Sequence, residues 1–248
     1  MDLLVLGAGP SYTNQAGAFG AAYLLVDGEQ ALLLDCGQGV FPSLAAAWEP
    51  SRLTAIAISH LHPDHFIDLV ALRHYLRHEF HPPRRVRVLG PAGLGDRLDA
   101  LHAEPGFAAV TLDIQPIGGS STHAIGPFTL EAGFVTHTAE SYAYRVTGSS
   151  RRSLVYSGDC GRAADLAPLL QDGDVLLTEC SFGAGPVPPG ARHLDAPAVG
   201  ELAAERRPSQ VLLTHHHMGL DPGATIAGVR ARYDGPVRLM RPGLRVAL

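Results

Sequence analysis

A β-branched apolar run, Leu53-Thr54-Ala55-Ile56-Ala57-Ile58, ends directly in Ser59-His60-Leu61-His62-Pro63-Asp64-His65. Three imidazoles and one carboxylate thus fall within six positions, where a buried strand runs out into a loop. His60 and His62 are two apart and can point to one side of an extended turn. Asp64 and His65 open the next helix and can turn toward a second point nearby. Nitrogen and oxygen donors at this density suit Zn²⁺ or a similar borderline cation. A lone histidine would carry no such reading. The compact H-x-H-x-D-H behind a strand does.

The rest of the chain is ordinary globular material. Its 248 residues can bury a full core, and 46% apolar with 17% charged residues excludes disorder. One domain spanning residues 1–248 is expected. No apolar run approaches the ~20 residues needed to cross a bilayer. The N-terminus, Met1-Asp2-Leu3-Leu4-Val5-Leu6-Gly7, lacks the basic segment and cleavage site of a signal peptide. Cys36, Cys160 and Cys180 form an odd set without C-x-x-C spacing, so no disulfide framework is expected. A cytoplasmic location follows as an expectation. The formal charge is −5 and all nineteen basic residues are arginine, with no basic block beyond pairs such as Arg84-Arg85. A long polyanion wants a clustered positive face, so a large nucleic acid is disfavoured as a partner.

Apolar runs at Leu3–Leu6, Ala21–Val26 and Ala31–Asp35 read as strands, with a hairpin signal at Asp27-Gly28. Behind the histidine motif, Phe66, Ile67, Leu69, Val70, Leu72, Leu76 and Phe80 recur at helical spacing up to Pro82-Pro83. A strand at Arg85–Leu89 and a helix at Gly93–His102 follow. The second half repeats the style. Strands are expected at 110–114, 128–136, 143–147, 153–157, 175–178, 211–214 and 237–240, and helices at 163–170, 196–206 and 223–233. Two strand-then-helix halves suggest two sheets packed face to face with helices outside. Gly7-Ala8-Gly9-Pro10-Ser11-Tyr12 begins like a dinucleotide fingerprint, but Tyr12 and Pro10 break it, leaving a glycine turn.

Further donors recur at strand ends. His137 follows Phe134-Val135-Thr136, Asp159 follows Ser157-Gly158, and His215 follows Leu213-Thr214. Strand ends on one sheet edge converge, so these side chains can meet the first motif. Five His and two Asp suffice for two metals if one carboxylate bridges, with positions left open for water. His216 or His217, beside His215, could take its place as far as spacing goes.

These motifs, in this order and with these flanks, resemble the metallo-β-lactamase-fold hydrolases. Glu179-Cys180-Ser181-Phe182 and His193-Leu194-Asp195-Ala196 look like the ribonuclease Z-like branch in particular. The resemblance implies an α/β fold, a four-layer αββα sandwich. It implies that His60, His62 and His137 hold a first Zn²⁺. Asp64, His65 and His215 would hold a second, and Asp159 would bridge; Mn²⁺ or Fe²⁺ would suit the same donors. His193, supported by Glu179, would be the proton donor to the leaving group, with Asp64 a further catalytic carboxylate. Asp35 could orient a ligand imidazole. The tRNA-processing members carry a long arm between the residues matching His137 and Asp159, which here are 22 positions apart. A zinc-dependent phosphodiesterase acting on a small phosphodiester such as a cyclic nucleotide is therefore expected, as a monomer or a homodimer.

Two other readings keep the metals. One is a lactonase, thioesterase or sulfatase with the same ligands. The other is a metal-binding carrier without turnover, which the intact ligand set and His193 disfavour. His74 and His78, four apart on the long helix, read as a solvated face, and His81, His102 and His123 as exposed positions. Ser141 and Tyr142 are candidate phosphate contacts. Cys160 and Cys180 read as buried small residues, not nucleophiles.

Overall fold

In a computed structural model describing residues 1–248, the strands sort into two seven-stranded sheets. The first half supplies β1 (Asp2–Gly7), β2 (Ala22–Asp27), β3 (Gln30–Leu34), β4 (Ala55–Ala57), β5 (Val86–Gly90) and β6 (Leu112–Pro116), side by side in that order. The second half supplies β7 (Ser121–Ile125), β8 (Phe128–Phe134), β9 (Tyr142–Thr147), β10 (Ser153–Tyr156), β11 (Val175–Glu179), β12 (Gln210–Thr214) and β13 (Val237–Leu239). A last strand, β14 (Arg245–Ala247), returns to the first sheet and pairs antiparallel with β1.

Continuous apolar runs form these strands because both faces of each sheet are covered. Along β2, Tyr23 and Leu25 join a core between the sheets, while Ala22 and Leu24 face the outer helices. In β10, Leu154 and Tyr156 point into the same central core and Val155 faces outward. Burying one such leucine is worth about 1.5–3 kcal/mol. Truncating fully buried Leu33 to Ala should cost about 2–5 kcal/mol. Outside the first sheet lie α1 (Phe41–Ala47), α2 (Pro63–Phe66), α3 (Leu69–His78) and α4 (Leu94–His102); outside the second lie α5 (Ala196–Arg206) and α6 (Pro222–Arg230). Asp195 caps α5 by accepting from the Ala198 amide at 3.0 Å, beside Pro197 in the first turn. The layers are helix, sheet, sheet, helix, as expected.

Each sheet is antiparallel on one side and parallel on the other: β3 to β6 in the first, β10 to β13 in the second. Parallel neighbours deliver their C-terminal ends to one edge, the usual place for a site in such sheets. No helix is long and apolar enough to cross a membrane.

Several elements differ from the expectations. The helix behind the histidine motif is two pieces, α2 and α3, separated by Ile67 and Asp68. The Asp68 amide donates to the Cys36 carbonyl at 3.0 Å while the Asp64 carbonyl accepts from the Ala21 amide at 2.9 Å, so the helical ladder is interrupted there. Residues 163–170 form only a 3₁₀ turn at Ala163–Leu166, tied by Asp165 to the Thr136 amide. Helix α1 and strands β7 and β14 were not expected. Strand β7, Ser-Thr-His-Ala-Ile, carries a half-polar face that weakens the strand signal.

Candidate metal centre

Every donor singled out in the sequence leaves a strand at the shared edge, and local backbone geometry aims it. Ser59 through His65 form the loop from β4 into α2, and the Pro63 ring starts that helix. His215 ends β12 in the left-handed region with φ 54°, its amide donating to the Ala8 carbonyl at 3.0 Å. Asp35 leaves β3 with φ 58°; Asp and His are among the few side chains that tolerate this region. Gly158, just before Asp159, also has a positive φ, and a Cβ there would lie 2.9 Å from the Ser59 Cβ. Only glycine lets β10 end this close to the histidine loop.

The donors meet in two main groups, with a third set, Asp159, His193 and His215, lying across them. Donor atoms of His60, His62, His137 and Asp159 lie within 4.8 Å of one another, and so do those of Asp64, His65 and His215. Asp159 joins the groups with different oxygens. Its Oδ2 is 3.7 Å from His60 Nε2 and 3.5 Å from His137 Nε2. Its Oδ1 is 3.3 Å from His65 Nε2 and 3.5 Å from His215 Nε2. His137 Nε2 and His62 Nδ1 are 3.1 Å apart, and Asp64 Oδ2 is 3.2 Å from His215 Nε2. Donors around one tetrahedral cation at about 2.0–2.1 Å sit about 3.3–3.4 Å apart. Hydrogen bonding does not account for the packing, because His60 Nε2, His65 Nε2 and Asp159 Oδ1 are buried without a hydrogen-bond partner. Orphaned buried donors in this array are what divalent cations satisfy. The residues fit a metal.

Outer partners fix the rings. Asp35 accepts from His65 Nδ1 at 2.7 Å, the Ser59 amide at 2.6 Å, Ser59 Oγ at 2.8 Å and Tyr156 Oη at 2.6 Å. His137 Nδ1 donates to the Arg192 carbonyl at 2.8 Å. Ser181 Oγ stands 3.1 Å from His215 Nδ1 and donates to Glu179 at 2.5 Å. Such contacts set which nitrogen faces the metal. Asp35 was legible beforehand. Ser59, Ser181 and Tyr156 were not, since nothing in spacing distinguishes them from other strand-end hydroxyls.

Burial and charge separate the histidines. Burial lowers the pKa of His60, His62 and His137, more than Asp159 can restore. For His65 and His215 burial pulls the same way and is the largest single influence, but Asp159 together with Asp35 at His65, and with Asp64 at His215, outweighs it and both are raised. Asp159 is held well below the usual carboxylate range despite its burial, by His215 and His65. Asp64 is lowered too, against burial, through its contact with His215.

His193 enters from the loop before α5. Its Nδ1 donates to Glu179 Oε1 at 2.9 Å, and is 3.9 Å from Asp159 Oδ2. Glu179, fully buried at the end of β11, also accepts from the Cys160 amide at 2.7 Å and the Leu194 amide at 3.2 Å. Burial lowers the His193 pKa, yet the hydrogen bond and charge of Glu179, with Asp159 behind them, together outweigh it and leave it raised. The nitrogen nearest Asp159 is already committed to Glu179, which sets His193 beside the ligands and not among them.

Of the three consecutive histidines, His215 faces the cluster. His216 Nε2 turns away to Thr225 Oγ1 at 2.8 Å, and the His217 ring packs edge-on against Phe182. Ser141 and Tyr142 do not offer themselves to a phosphate. Ser141 Oγ closes its own loop through Thr138, and Tyr142 Oη donates to the Ile117 carbonyl at 2.7 Å. His74 is half-buried, stacked on His78 and edge-on to Phe107, so that helix face is not simply solvated.

Residues 30–216 match the model of the β-lactamase superfamily domain. An uncharacterised protein of Mycobacterium tuberculosis is 32% identical over 213 residues, covering 83% of this chain and 77% of that one. The probable metallo-hydrolase YhfI of Bacillus subtilis is 26% identical over 232 residues, 90% of each chain. The YhfI crystal structure superposes with a TM-score of 0.88, at 23% identity over 99% of this chain and 98% of that one. The short form of human tRNase Z superposes with a TM-score of 0.75, at 21% identity over 100% and 99% of the two chains. With this fold and this His/Asp cluster, the chain belongs to the β-lactamase superfamily, with the metallo-β-lactamase fold and relatives that include a probable metallo-hydrolase and ribonuclease Z.

Proposed function

We propose that this metal-dependent hydrolase is a phosphodiesterase holding two Zn²⁺ and acting on a small phosphodiester such as a cyclic nucleotide. His60, His62 and His137 would hold one cation and Asp64, His65 and His215 the other, with Asp159 placed to serve both groups. Bound divalent cations supply Lewis acidity, polarising the phosphoryl group and acidifying water. The chain's own residues do the rest. With Nδ1 given to Glu179, His193 keeps Nε2 as the position of its mobile proton. Its raised pKa favours the imidazolium, so Nε2 can protonate the departing alkoxide. Asp64, braced against His215, orients the attacking water.

The observation that carries this reading is the pairing of a two-faced Asp159 with a histidine beside it that is not consumed as a ligand. A small substrate is favoured because only β9, β10 and short turns join His137 to Asp159, leaving no gripping arm for tRNA. The net charge of −5 also withholds the usual attraction for a long polyanion. A cytoplasmic location belongs to the same proposal. The test is an activity panel on metal-loaded protein: bis-p-nitrophenyl phosphate, cyclic nucleotides, a lactone, an aryl sulfate and a precursor tRNA. Turnover of the first two is expected. Inactivity on every phosphodiester beside good lactone or sulfate-ester hydrolysis would replace the substrate class, and efficient tRNA cleavage would overturn the preference for small substrates.

A further inference from the structure

Strand β8 alternates cleanly, and Phe128, Leu130 and Ala132 all point into the core between the sheets with no more than 3% exposure. The next residue in that row, Phe134, is 52% exposed. It lies where the sheets part at the metal edge, three residues before His137. Its cross-strand partner is buried Tyr142, and the two rings stack at 4.9 Å with an interplanar angle of 28°. One ring face is therefore backed by the protein, while half of the side chain stays open. Phe134 lines a groove with Thr136, His137, Thr138 and Arg192. The Arg192 side chain donates to the His137 carbonyl at 3.0 Å, which ties the guanidinium to this groove, and it makes no ion pair. His193, the proposed proton donor, is its neighbour in sequence.

We propose that this groove is a nucleobase subsite, with the base of a nucleotide phosphodiester stacked on Phe134 and flanked by Arg192. The proposal rests on the phosphodiesterase reading for its substrate, and it assigns the groove beside His137 to the nucleoside part. A backed aromatic ring at a wet edge is the ordinary platform for a base, because stacking needs only a π-face and a guanidinium adds to it. Leaving a phenylalanine open without such a use forfeits burial that the rest of its row obtains.

Two variants and two substrates test this. Phe134→Ala should raise KM for adenosine 3′,5′-cyclic monophosphate by roughly 5- to 150-fold, the range for removing one base–aromatic stack. kcat should change little, and ribose 3′,5′-cyclic monophosphate, which has no base, should be hydrolysed as by the parent protein. Phe134→Trp should retain the parent KM, and its indole fluorescence should be quenched by the nucleotide but not by the base-free analogue. Equal losses on both substrates in Phe134→Ala, or no quenching in Phe134→Trp, would overturn the subsite and leave Phe134 as a cover for Tyr142. Hydrolysis of bis-p-nitrophenyl phosphate without quenching sinks the subsite alone. Quenching without hydrolysis of any phosphodiester sinks the catalytic reading and leaves the subsite standing.

Discussion

The two halves of the donor cluster are built differently. His60, His62 and His137 come from a loop and a strand end; His60 and His137 are buried against Ser59 and the Arg192 carbonyl, while His62 is exposed. Asp64, His65 and His215 are all buried, and their rings are braced by Asp35 and by Ser181 on Glu179. Protonation also differs: burial makes the first trio easily neutral, whereas Asp159 and its neighbours favour a proton on His65 and His215. The first half is a ready ligand set with one member, His62, open to solvent. The second is wholly enclosed, and a cation must displace protons to enter it. Only Asp159 belongs to both.

Removing that shared residue should have the largest effect. Asp159→Ala takes a ligand from each half, so loss of both cations or disorder of one is expected. Activity should fall well beyond the about 10–100-fold typical of an outer partner. Elemental analysis and turnover of bis-p-nitrophenyl phosphate read it. Full occupancy and activity in this variant would mean that the halves do not share a ligand.

Next in size is the residue outside both halves. His193→Ala should keep both metals and lose roughly 10²–10⁴-fold on an alkyl phosphodiester. The loss on a nitrophenyl ester should be much smaller, because that leaving group departs without a proton. Equal losses on both substrates would make His193 a binding residue, and lost metal would make it a ligand.

The bracing itself can be broken on one side. Asp35→Asn should weaken the second half by about 10–100-fold in metal affinity and leave one equivalent bound in the first. Equal loss from both halves would show that the bracing is not local.

Acidity should separate the halves more gently. As pH falls, protons compete for His65 and His215 first, because their pKa values lie above the usual 6.5. Metal titrations should show one equivalent released at a higher pH than the other, at up to about tenfold per pH unit for each proton displaced. In metal-free protein the same two histidines stabilise the fold below pH 6.5, and that contribution is lost as pH rises through their raised values. Asp159 and Asp64 work in the opposite sense, stabilising above the usual 3.8 and ceasing to do so as acid protonates them. Simultaneous release of both equivalents would erase the distinction. The smallest effect is expected from His216→Ala, within about twofold of the parent in activity, since its ring turns from the cluster to Thr225.

Strand ends explain what was legible in the sequence. Buried runs such as Leu53–Ile58 and Val211–Thr214 announce both their strand and the donor behind it, because a two-faced strand has no polar interruption. Asp159 and His215 could be found that way. The α2–α3 break could not, since the Asp68 amide goes to the Cys36 carbonyl and the Asp64 and His65 carbonyls accept from Ala21 and Cys36, partners far away in sequence. Strand β14 escaped notice because three residues, Arg-Val-Ala, carry almost no period and gain their place from β1. Phe134 reads as one more core residue in its strand. Its exposure depends on where the two sheets separate, which no local pattern encodes.

The shared carboxylate is tested most directly by a crystal structure of metal-loaded protein with anomalous diffraction from the bound ions. Two peaks about 3.5–4 Å apart are expected, one among His60, His62 and His137 and one among Asp64, His65 and His215, with a different oxygen of Asp159 on each. A single peak, or two peaks with Asp159 touching neither, would contradict the two-cation centre.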